Sequence, residues 1–245
     1  LQLLIDAGLD LSARDENGDT LLHYRARKGA GEADEFLCKA VKEYGDSHPP
    51  ADKEQEDDKE DDHSLSDVAN SKGETPFMCA AVSANTVIMG ALLQLGADIN
   101  RPPTRRHPSI LHWLLLQSPS GYVQEPGVEY LLKQGAATDK VYPGTGRTLL
   151  HEASARGRTR VVELLLTKGS MDPNATIPDP SGGDPITPLM LAIGRNDVRT
   201  VQLLINNDAR VGEAELRAVP SDAHASMHKI LSRPKNPSNL GLLQL

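Results

Sequence analysis

A short motif that recurs along the chain constrains the fold more than any other feature of the sequence. Each copy has a hydroxyl residue, two apolar residues and then a histidine or methionine, and successive copies start 55, 34, 39 and 39 residues apart. A period of this size is typical of repeat proteins, in which each repeat is one supersecondary unit stacked on the next. The five copies begin at Thr20, Thr75, Ser109, Thr148 and Thr187.

The residues around the motif predict two helices in each repeat. Thr is a good N-cap because its hydroxyl accepts a hydrogen bond from a free backbone N–H, and Pro76 and Pro188 suit the first helical position. An apolar cluster with helical spacing then ends in Gly96, Gly169 or Asp208, 21 residues after the hydroxyl residue in three repeats. Each repeat is therefore predicted to be a helix, a turn and a second helix.

The end of the first helix is predicted from the residue nine positions after the hydroxyl residue. Gly29 and Gly157 stand there in two repeats, and Asn196 stands there in a third. Glycine and asparagine adopt the left-handed backbone that ends a short helix. Ala84 holds the same position in the second repeat and departs from this pattern.

Taken together, these positions resemble the ankyrin repeat. The matching residues are Asp15, Gly18, Thr20, Leu22 and His23, then Gly73, Thr75, Pro76, Ala80 and Ala81, and the closing turn Gly96-Ala97-Asp98-Ile99-Asn100. The resemblance covers residues 1 to about 212. It implies an all-α solenoid of stacked helix-turn-helix units with β-hairpin or loop fingers, and a non-enzymatic role in protein-protein interaction.

The resemblance also divides the chain. The predicted array occupies residues 1–231, and its first 12 residues are a truncated half-repeat, which we interpret as a fragment of a larger ankyrin-repeat chain. The units are predicted to start near residues 15, 70, 104, 143 and 182, with a C-terminal cap at 213–231 and a tail at 232–245.

An acidic insertion at residues 46–69 separates the first two units. Between Asp52 and Asp62, eight acids face two bases, a net charge of −6 out of −8 for the whole chain. Because this run has no apolar residues to bury, it is predicted to be a disordered, solvated spacer. The alternative is that it competes with a partner for basic residues of the array.

The sequence offers little that could support catalysis, a cofactor or a metal ion. His224 and His228 have a spacing that binds metals on helices, but Ala225 stands where a zinc protease needs glutamate. The remaining candidates are predicted to be structural: the motif histidines, the apolar-context cysteines and one tryptophan. These are His23, His112, His151, Cys38, Cys79 and Trp113. The prediction is no enzyme, no cofactor and no metal.

The cysteine content and the lengths of the apolar runs indicate the cellular compartment. The chain has two cysteines, too few for a disulfide framework, and its longest apolar runs are too short to cross a membrane. We therefore expect an intracellular protein, cytoplasmic or nuclear. Binding of nucleic acid is not expected, because the chain is acidic and no aromatic platform interleaves its arginines.

The resemblance implies that fingers and first helices line a concave groove. Basic residues dominate the corresponding positions, which predicts a protein partner with an extended acidic or phosphorylated segment. Charge reversal of Arg147 and Arg156 together is expected to abolish binding with the fold intact. The predicted partner-binding residues are Arg27, Lys28, Lys72, Arg105, Arg106, Arg147, Arg156 and Arg195.

Two alternatives remain open from the sequence. The basic positions could be ordinary solvated surface charge. The array could also regulate or autoinhibit a catalytic or DNA-binding domain elsewhere in a longer polypeptide.

Overall fold

A computed structural model gives the architecture. It describes residues 10–28, 31, 39, 43, 65–103, 107–117, 125–223 and 225–232. Several predictions lie outside these residues: the first nine residues of the half-repeat, most of the acidic insertion and all but one residue of the tail. The same holds for Gly29, Cys38, Arg105, Arg106 and His224.

The chain folds into two compact units. The N-terminal unit comprises Leu1–Arg105 and Gln124–Ala136, and the C-terminal unit comprises Arg106–Val123 and Ala137–Leu245. The described helices of the N-terminal unit are α1 (Leu21–Arg27), α2 (Pro76–Ser83), α3 (Thr86–Gln94) and α5 (Glu125–Lys133). Those of the C-terminal unit are α4 (Ile110–Gln117), α6 (Leu149–Ala155), α7 (Thr159–Thr167), α8 (Pro188–Gly194), α9 (Val198–Asn206), α10 (Glu213–Arg217) and α11 (Ala225–Leu231).

Each predicted N-cap lies at the start of the first helix of its repeat. Thr75 Oγ1 accepts from the backbone N–H of Met78 at 3.3 Å, and Thr148 and Thr187 make the equivalent bond. Pro76 and Pro188 occupy the first helical turn, where an absent N–H loses no helical hydrogen bond. The motif therefore marks the start of these helices, as predicted.

The first helices of three repeats end in a left-handed residue. Gly157 has φ +64° and Asn196 has φ +59°, as predicted. Ala84 has φ +54° and its N–H bonds to the carbonyl of Ala81 at 3.3 Å. The second repeat thus departs from the others in residue type only, and its alanine bears the strain of the left-handed region.

Aliphatic side chains fill the core of the N-terminal unit. Leu22 of α1, Ala80 of α2 and Leu92 of α3 are buried, and α1 and α3 both pack on α2. Helix α5 approaches α2 closely at Gly127, where an added Cβ would lie 2.8 Å from the carbonyl oxygen of Ala81. Larger residues at this position would push the two helices apart.

The core of the C-terminal unit is built in the same way. Leu150 of α6, Leu165 of α7 and Val201 of α9 are fully buried, and Trp113 of α4 is 3% exposed, as predicted for a core residue. Helix α8 packs on α6, and α9 packs on α7. Successive repeats therefore bury one another, which makes stability a sum over neighbours.

Short fingers precede two of these repeats. An isolated antiparallel bridge joins Val141 to Thr148, and another joins Ile177 to Ile186. Gly144 and Gly146 turn the first finger with positive φ. No longer strand occurs in the described ranges, and the predicted all-α class is confirmed.

Buried polar residues lie near both ends of the described repeats. Residues 65–69 lie at the end of the predicted insertion, where Ser66 and Val68 are buried and the Asp67 carbonyl accepts from Arg101 Nη1 at 3.3 Å. At the other boundary, Glu215 of α10 is 7% exposed and accepts from Thr187 Oγ1 at 3.0 Å and from the Gly212 N–H at 3.0 Å. This carboxylate ties the cap helix to the fifth repeat.

Candidate functional site

The motif histidines are structural residues. His23 and His151 are fully buried, and Nδ1 of each ring pairs with the hydroxyl of its own N-cap, at 2.9 and 2.8 Å. Nε2 bonds to a carbonyl just before the next motif, Glu74 O at 2.9 Å and Ile186 O at 3.2 Å. These bonds confirm the prediction that His23 and His151 are structural residues.

His112 differs from His23 and His151 in the hydrogen bond of its Nε2 atom. Its Nδ1 pairs with Ser109 Oγ at 2.8 Å, but no atom of the described residues bonds its buried Nε2. The ring of Tyr142 stands edge-on to it at 4.6 Å, and the Tyr142 hydroxyl donates to the His112 carbonyl at 3.0 Å. Burial lowers the pKa of His112 to about 4, so this ring is neutral at neutral pH.

Of the two cysteines, the structure describes Cys79. Cys79 is 4% exposed, and burial raises the pKa of its thiol to about 11, which suppresses the reactive thiolate. Within the ranges that the structure describes, no three metal-ligating side chains come together. No helix in those same ranges is long and apolar enough to span a membrane.

The eight predicted partner-binding cations separate into three groups. Three lie in the N-terminal unit, three lie in the C-terminal unit, and Arg105 and Arg106 lie outside the described residues. The two described groups differ in how their charges are neutralised.

In the N-terminal unit, Arg27 is held by acids. Its guanidinium makes a two-pronged contact with Asp19, with N···O distances of 2.5 and 2.9 Å, and reaches Glu74 Oε2 at 3.2 Å. The Asn70 amide also donates to Asp19, at 2.8 Å. The Arg27 contacts hold the pKa of Asp19 below its usual value. The Arg27 guanidinium therefore stabilises the folded N-terminal unit through these contacts.

Lys28 and Lys72 complete the N-terminal group. Both residues are exposed, and in the described residues neither ammonium group makes a hydrogen bond or an ion pair. They are single, strongly hydrated charges on flexible stems.

In the C-terminal unit, two arginines share one carboxylate. Arg156 Nε donates to Glu152 Oε1 at 2.6 Å, and Arg147 Nη1 donates to Glu152 Oε2 at 3.4 Å. The Glu152 side chain is 10% exposed, whereas the two arginines are about one-third exposed. Because a buried charge needs its partners, we expect that reversing both arginines would destabilise the C-terminal unit, in contrast to the expectation from the sequence.

A third predicted arginine lies close to this pair. Arg195 is exposed and follows α8, and its guanidinium covers Gly157: a Cβ placed on that glycine would lie 3.1 Å from Nε and 3.2 Å from Nη2. Among the described residues, Arg195 makes no hydrogen bond and no ion pair through its side chain. The glycine that ends α6 thus provides the space that the guanidinium fills.

Arg158 joins this group although the sequence analysis did not include it. It follows Gly157 directly, and burial together with the charges of Arg156 and Arg195 lowers its pKa. The signal was present in the triplet Arg-Gly-Arg at 156–158, but Arg158 precedes the second helix and falls outside the expected groove positions. We call Arg147, Arg156, Arg158 and Arg195 the arginine cluster.

Two carboxylates lie beside the arginine cluster. Glu152 pairs with Arg147 and Arg156, and Asp197 accepts from the N–H and the hydroxyl of Thr200, at 3.1 and 2.7 Å. Arg195 makes no ion pair with an acid of the described residues. An exposed guanidinium of this kind attracts anions.

Comparisons with known proteins agree with this architecture. A family profile described as "Ankyrin repeats (3 copies)" matches residues 107–215, and one described as "Ankyrin repeat" matches residues 72–101. These matches have lengths of 109 and 30 residues, together more than half of the 245-residue chain. No curated protein matches the sequence.

Solved ankyrin-repeat structures match the fold. The human ASB11 ankyrin repeat domain is similar with a TM-score of 0.62 and 20% identity, over 97% of this chain and 93% of that one. The ankyrin repeat domain of Bcl-3, a member of the IkappaB protein family, is similar with a TM-score of 0.55 and 25% identity, over 83% of this chain and 75% of that one. With its repeat motif, paired helices and fingers, the chain belongs to the ankyrin-repeat family.

Proposed function

We propose that this chain is a non-enzymatic interaction module whose arginine cluster binds an acidic or phosphorylated segment of a partner protein. Ankyrin repeats are generally protein-protein interaction modules. The observation that carries the more specific proposal is Arg195, which is exposed, lies against Gly157 and has no acidic partner among the described residues.

The chemistry of arginine supports this partner class. A guanidinium group presents a rigid fork of N–H donors that matches the paired oxygens of a carboxylate or phosphate. Arg156 bonds to Glu152 only through Nε, and Arg147 only through Nη1, so other donors on both side chains are left for a partner. The internal contacts therefore orient the arginines without using them up.

The remaining predicted cations take different parts in the proposal. Lys28 and Lys72 are exposed charges that would steer an anionic segment toward the protein. Arg105 and Arg106 keep their predicted partner-binding role from their sequence positions alone. Arg27 is the exception, because its guanidinium already binds Asp19 and Glu74. We assign it to stability.

Titration with peptide pools of defined charge tests the proposal. The full chain is titrated with a degenerate peptide pool rich in Glu and Asp and, separately, with a pool rich in Lys. We expect the acidic pool to bind and the basic pool not to bind. Affinity should fall steeply as the salt concentration rises, because exposed charges are screened.

Arg195→Glu is the variant to compare, and Arg199→Glu is its matched control. Both residues are exposed, both follow the α8 region of the same repeat, and both substitutions change the charge equally. Arg195→Glu should weaken binding of the acidic pool by about tenfold or more, which corresponds to the loss of one strong charged contact. Preferred binding of the basic pool, or equal effects of the two variants, would contradict the proposal.

A further inference from the structure

We propose that Arg147 and Arg156 bind two acidic side chains of the partner that stand two positions apart in an extended segment. This inference rests on the proposed function and narrows it, because a single acidic or phosphorylated residue is then a weaker ligand than two acids at this spacing. Glu152 holds the two arginines together, and each arginine keeps a pair of donors for a ligand.

Glu152 brings the two guanidinium groups close to each other. Arg156 Nε donates to Glu152 Oε1 at 2.6 Å, and Arg147 Nη1 donates to Glu152 Oε2 at 3.4 Å. Because both nitrogen atoms contact oxygens of the same carboxylate, they lie no more than about 8 Å apart. We call Arg147 and Arg156 the arginine pair.

The backbone determines the direction from which each arginine reaches this carboxylate. Arg156 follows the last residue of α6 and stands four residues after Glu152, so the two side chains share one face of the helix. Arg147 belongs to the finger before α6, where its carbonyl accepts from the Tyr142 N–H at 2.8 Å. One arginine therefore comes from the finger and the other from the end of the helix.

Each member of the arginine pair keeps one complete fork of N–H donors. A guanidinium group binds carboxylates through an end fork, formed by Nη1 and Nη2, or through a side fork, formed by Nε and Nη2. Arg156 uses Nε for Glu152 and keeps the end fork, whereas Arg147 uses Nη1 and keeps the side fork. Two forks are matched by two carboxylates of a partner.

Glu152 neutralises only one of the two positive charges. Among the described residues it is the only acid that makes an ion pair with Arg147 or Arg156. Its side chain is 10% exposed, whereas those of Arg147 and Arg156 are 34% and 36% exposed, so the arginines are the more accessible groups. The arginine pair together with Glu152 therefore carries one net positive charge, which attracts acidic residues.

The separation within the arginine pair selects the spacing of the two acids. In an extended segment, side chains at positions i and i+2 lie on the same face about 6.6 Å apart, whereas adjacent side chains point to opposite faces. This spacing fits two guanidinium groups whose bonded nitrogen atoms are held within about 8 Å. The sequence that suits the arginine pair is an acid, any residue and a second acid.

Four peptide pools with the same degenerate, uncharged flanks test the inference. Their fixed central residues are Glu-Ser-Glu, Glu-Glu-Ser, Ser-Glu-Ser and Ser-phosphoserine-Ser, and each pool is titrated against the full chain by fluorescence anisotropy. The first two pools have the same charge and composition and differ only in spacing. We expect Glu-Ser-Glu to bind about fivefold or more tightly than Glu-Glu-Ser, and about tenfold or more tightly than Ser-Glu-Ser.

The outcomes distinguish this inference from the proposed function. Equal affinity of the Glu-Ser-Glu and Glu-Glu-Ser pools overturns the assignment of two spaced acids to the arginine pair and leaves the acidic-segment proposal standing. Failure of all four pools to bind overturns both. The phosphoserine pool carries about −1.5 to −2 on one residue. If it binds as tightly as Glu-Ser-Glu or more tightly, one doubly charged group satisfies the site and the two-acid assignment is wrong.

Substitution by lysine tests the arginine pair without removing its charges. Lysine can keep the ion pair with Glu152 but has no fork, so Arg147→Lys and Arg156→Lys should fold normally and bind differently. Circular dichroism checks the fold. Each variant should lower the preference for Glu-Ser-Glu over Glu-Glu-Ser to about twofold or less. The control Arg199→Lys makes the same change at an exposed arginine outside the pair and should keep the full preference. A preference that survives in both Arg147→Lys and Arg156→Lys overturns the inference.

Discussion

Arg27 in the N-terminal unit and Arg195 in the C-terminal unit stand at nearly equivalent positions of their repeats, seven and eight residues after the motif hydroxyl. Their surroundings are opposite. Arg27 bonds to Asp19 and Glu74, two acids for one cation, whereas the exposed Arg195 makes no ion pair with a described acid.

This difference shows that repeat position alone does not define a binding residue. An arginine that satisfies a buried carboxylate is part of the fold, since its removal leaves an unpaired charge. An exposed arginine such as Arg195, which makes no ion pair with a described acid, is available to a partner. The predictions below test this contrast, beginning with the largest expected effect.

The double substitution Arg147→Glu with Arg156→Glu should destabilise the C-terminal unit by about 3 to 5 kcal/mol. Glu152 would lose both partners and gain two like charges. The measurement is denaturant unfolding followed by circular dichroism. Arg160→Glu is the control, because this exposed residue pairs with the equally exposed Glu163 and its change should cost under about 0.5 kcal/mol. A double variant as stable as the wild type would show that Glu152 does not depend on the two arginines.

Lowering the pH should distinguish His112 from His23. The folded-state pKa of His112, about 4, lies below the unfolded value of 6.5. The unfolded chain therefore takes up the proton first as the pH falls. Its linked stability is fully present above pH 6.5, and about 2 kcal/mol of it is lost between pH 7 and pH 5.

His112→Leu isolates that contribution in denaturant melts at pH 7 and pH 5. The variant should lose less stability on acidification than the wild type, because one titrating group is gone. His23→Leu should change the pH dependence less, since the Glu74 carbonyl that accepts from its ring favours the protonated form and opposes the effect of burial. An identical pH dependence of wild type and His112→Leu would contradict the assignment.

Truncation of the two arginines should separate them in stability. Arg27→Ala leaves the buried Asp19 carboxylate with only the Asn70 amide, and should cost about 1 to 3 kcal/mol. Arg195→Ala removes no described bond and should change stability by less than about 0.5 kcal/mol. Equal losses in equilibrium unfolding would remove the distinction between a structural and an available arginine.

The smallest effects are expected where the first helices end. Ala84→Gly relieves a left-handed alanine and should stabilise the N-terminal unit by about 0.5 to 1 kcal/mol. Gly157→Ala, its reciprocal in the C-terminal unit, should destabilise by about 1 kcal/mol and also displace Arg195. Thermal melts of both variants check the signs. If both substitutions raise the melting temperature, or both lower it, the left-handed ends of these helices are contradicted.

Much of this fold followed from local chemistry in the sequence. The N-cap at Thr75, the prolines at the first helical position and the left-handed Gly157 each depend on a few neighbouring residues, so their structures could be predicted. The motif also located the buried histidines. Ala84 shows the limit, because it adopts a left-handed conformation that alanine does not favour by itself.

The candidate site was less predictable because it depends on residues brought together across repeats. The sequence located Arg147, Arg156 and Arg195, but it gave no indication that Glu152 would be buried beneath two of them. The sequence also predicted the same partner-binding role for Arg27 and Arg195. The contact that distinguishes Arg27 is with Glu74, which lies 47 residues further along the chain. Ion pairs between residues so far apart in the chain can be identified only from the folded structure.

The most direct test of the central claim compares two charge reversals of equal size. Arg195→Glu changes the arginine cluster, and Lys72→Glu changes an exposed cation of the N-terminal unit. Both proteins are titrated with the same acidic peptide pool at low salt. Our account predicts that Arg195→Glu loses about tenfold or more in affinity while Lys72→Glu stays within about threefold of the wild type. Equal losses in the two variants, or a larger loss in Lys72→Glu, would show that binding follows overall charge and not the arginine cluster.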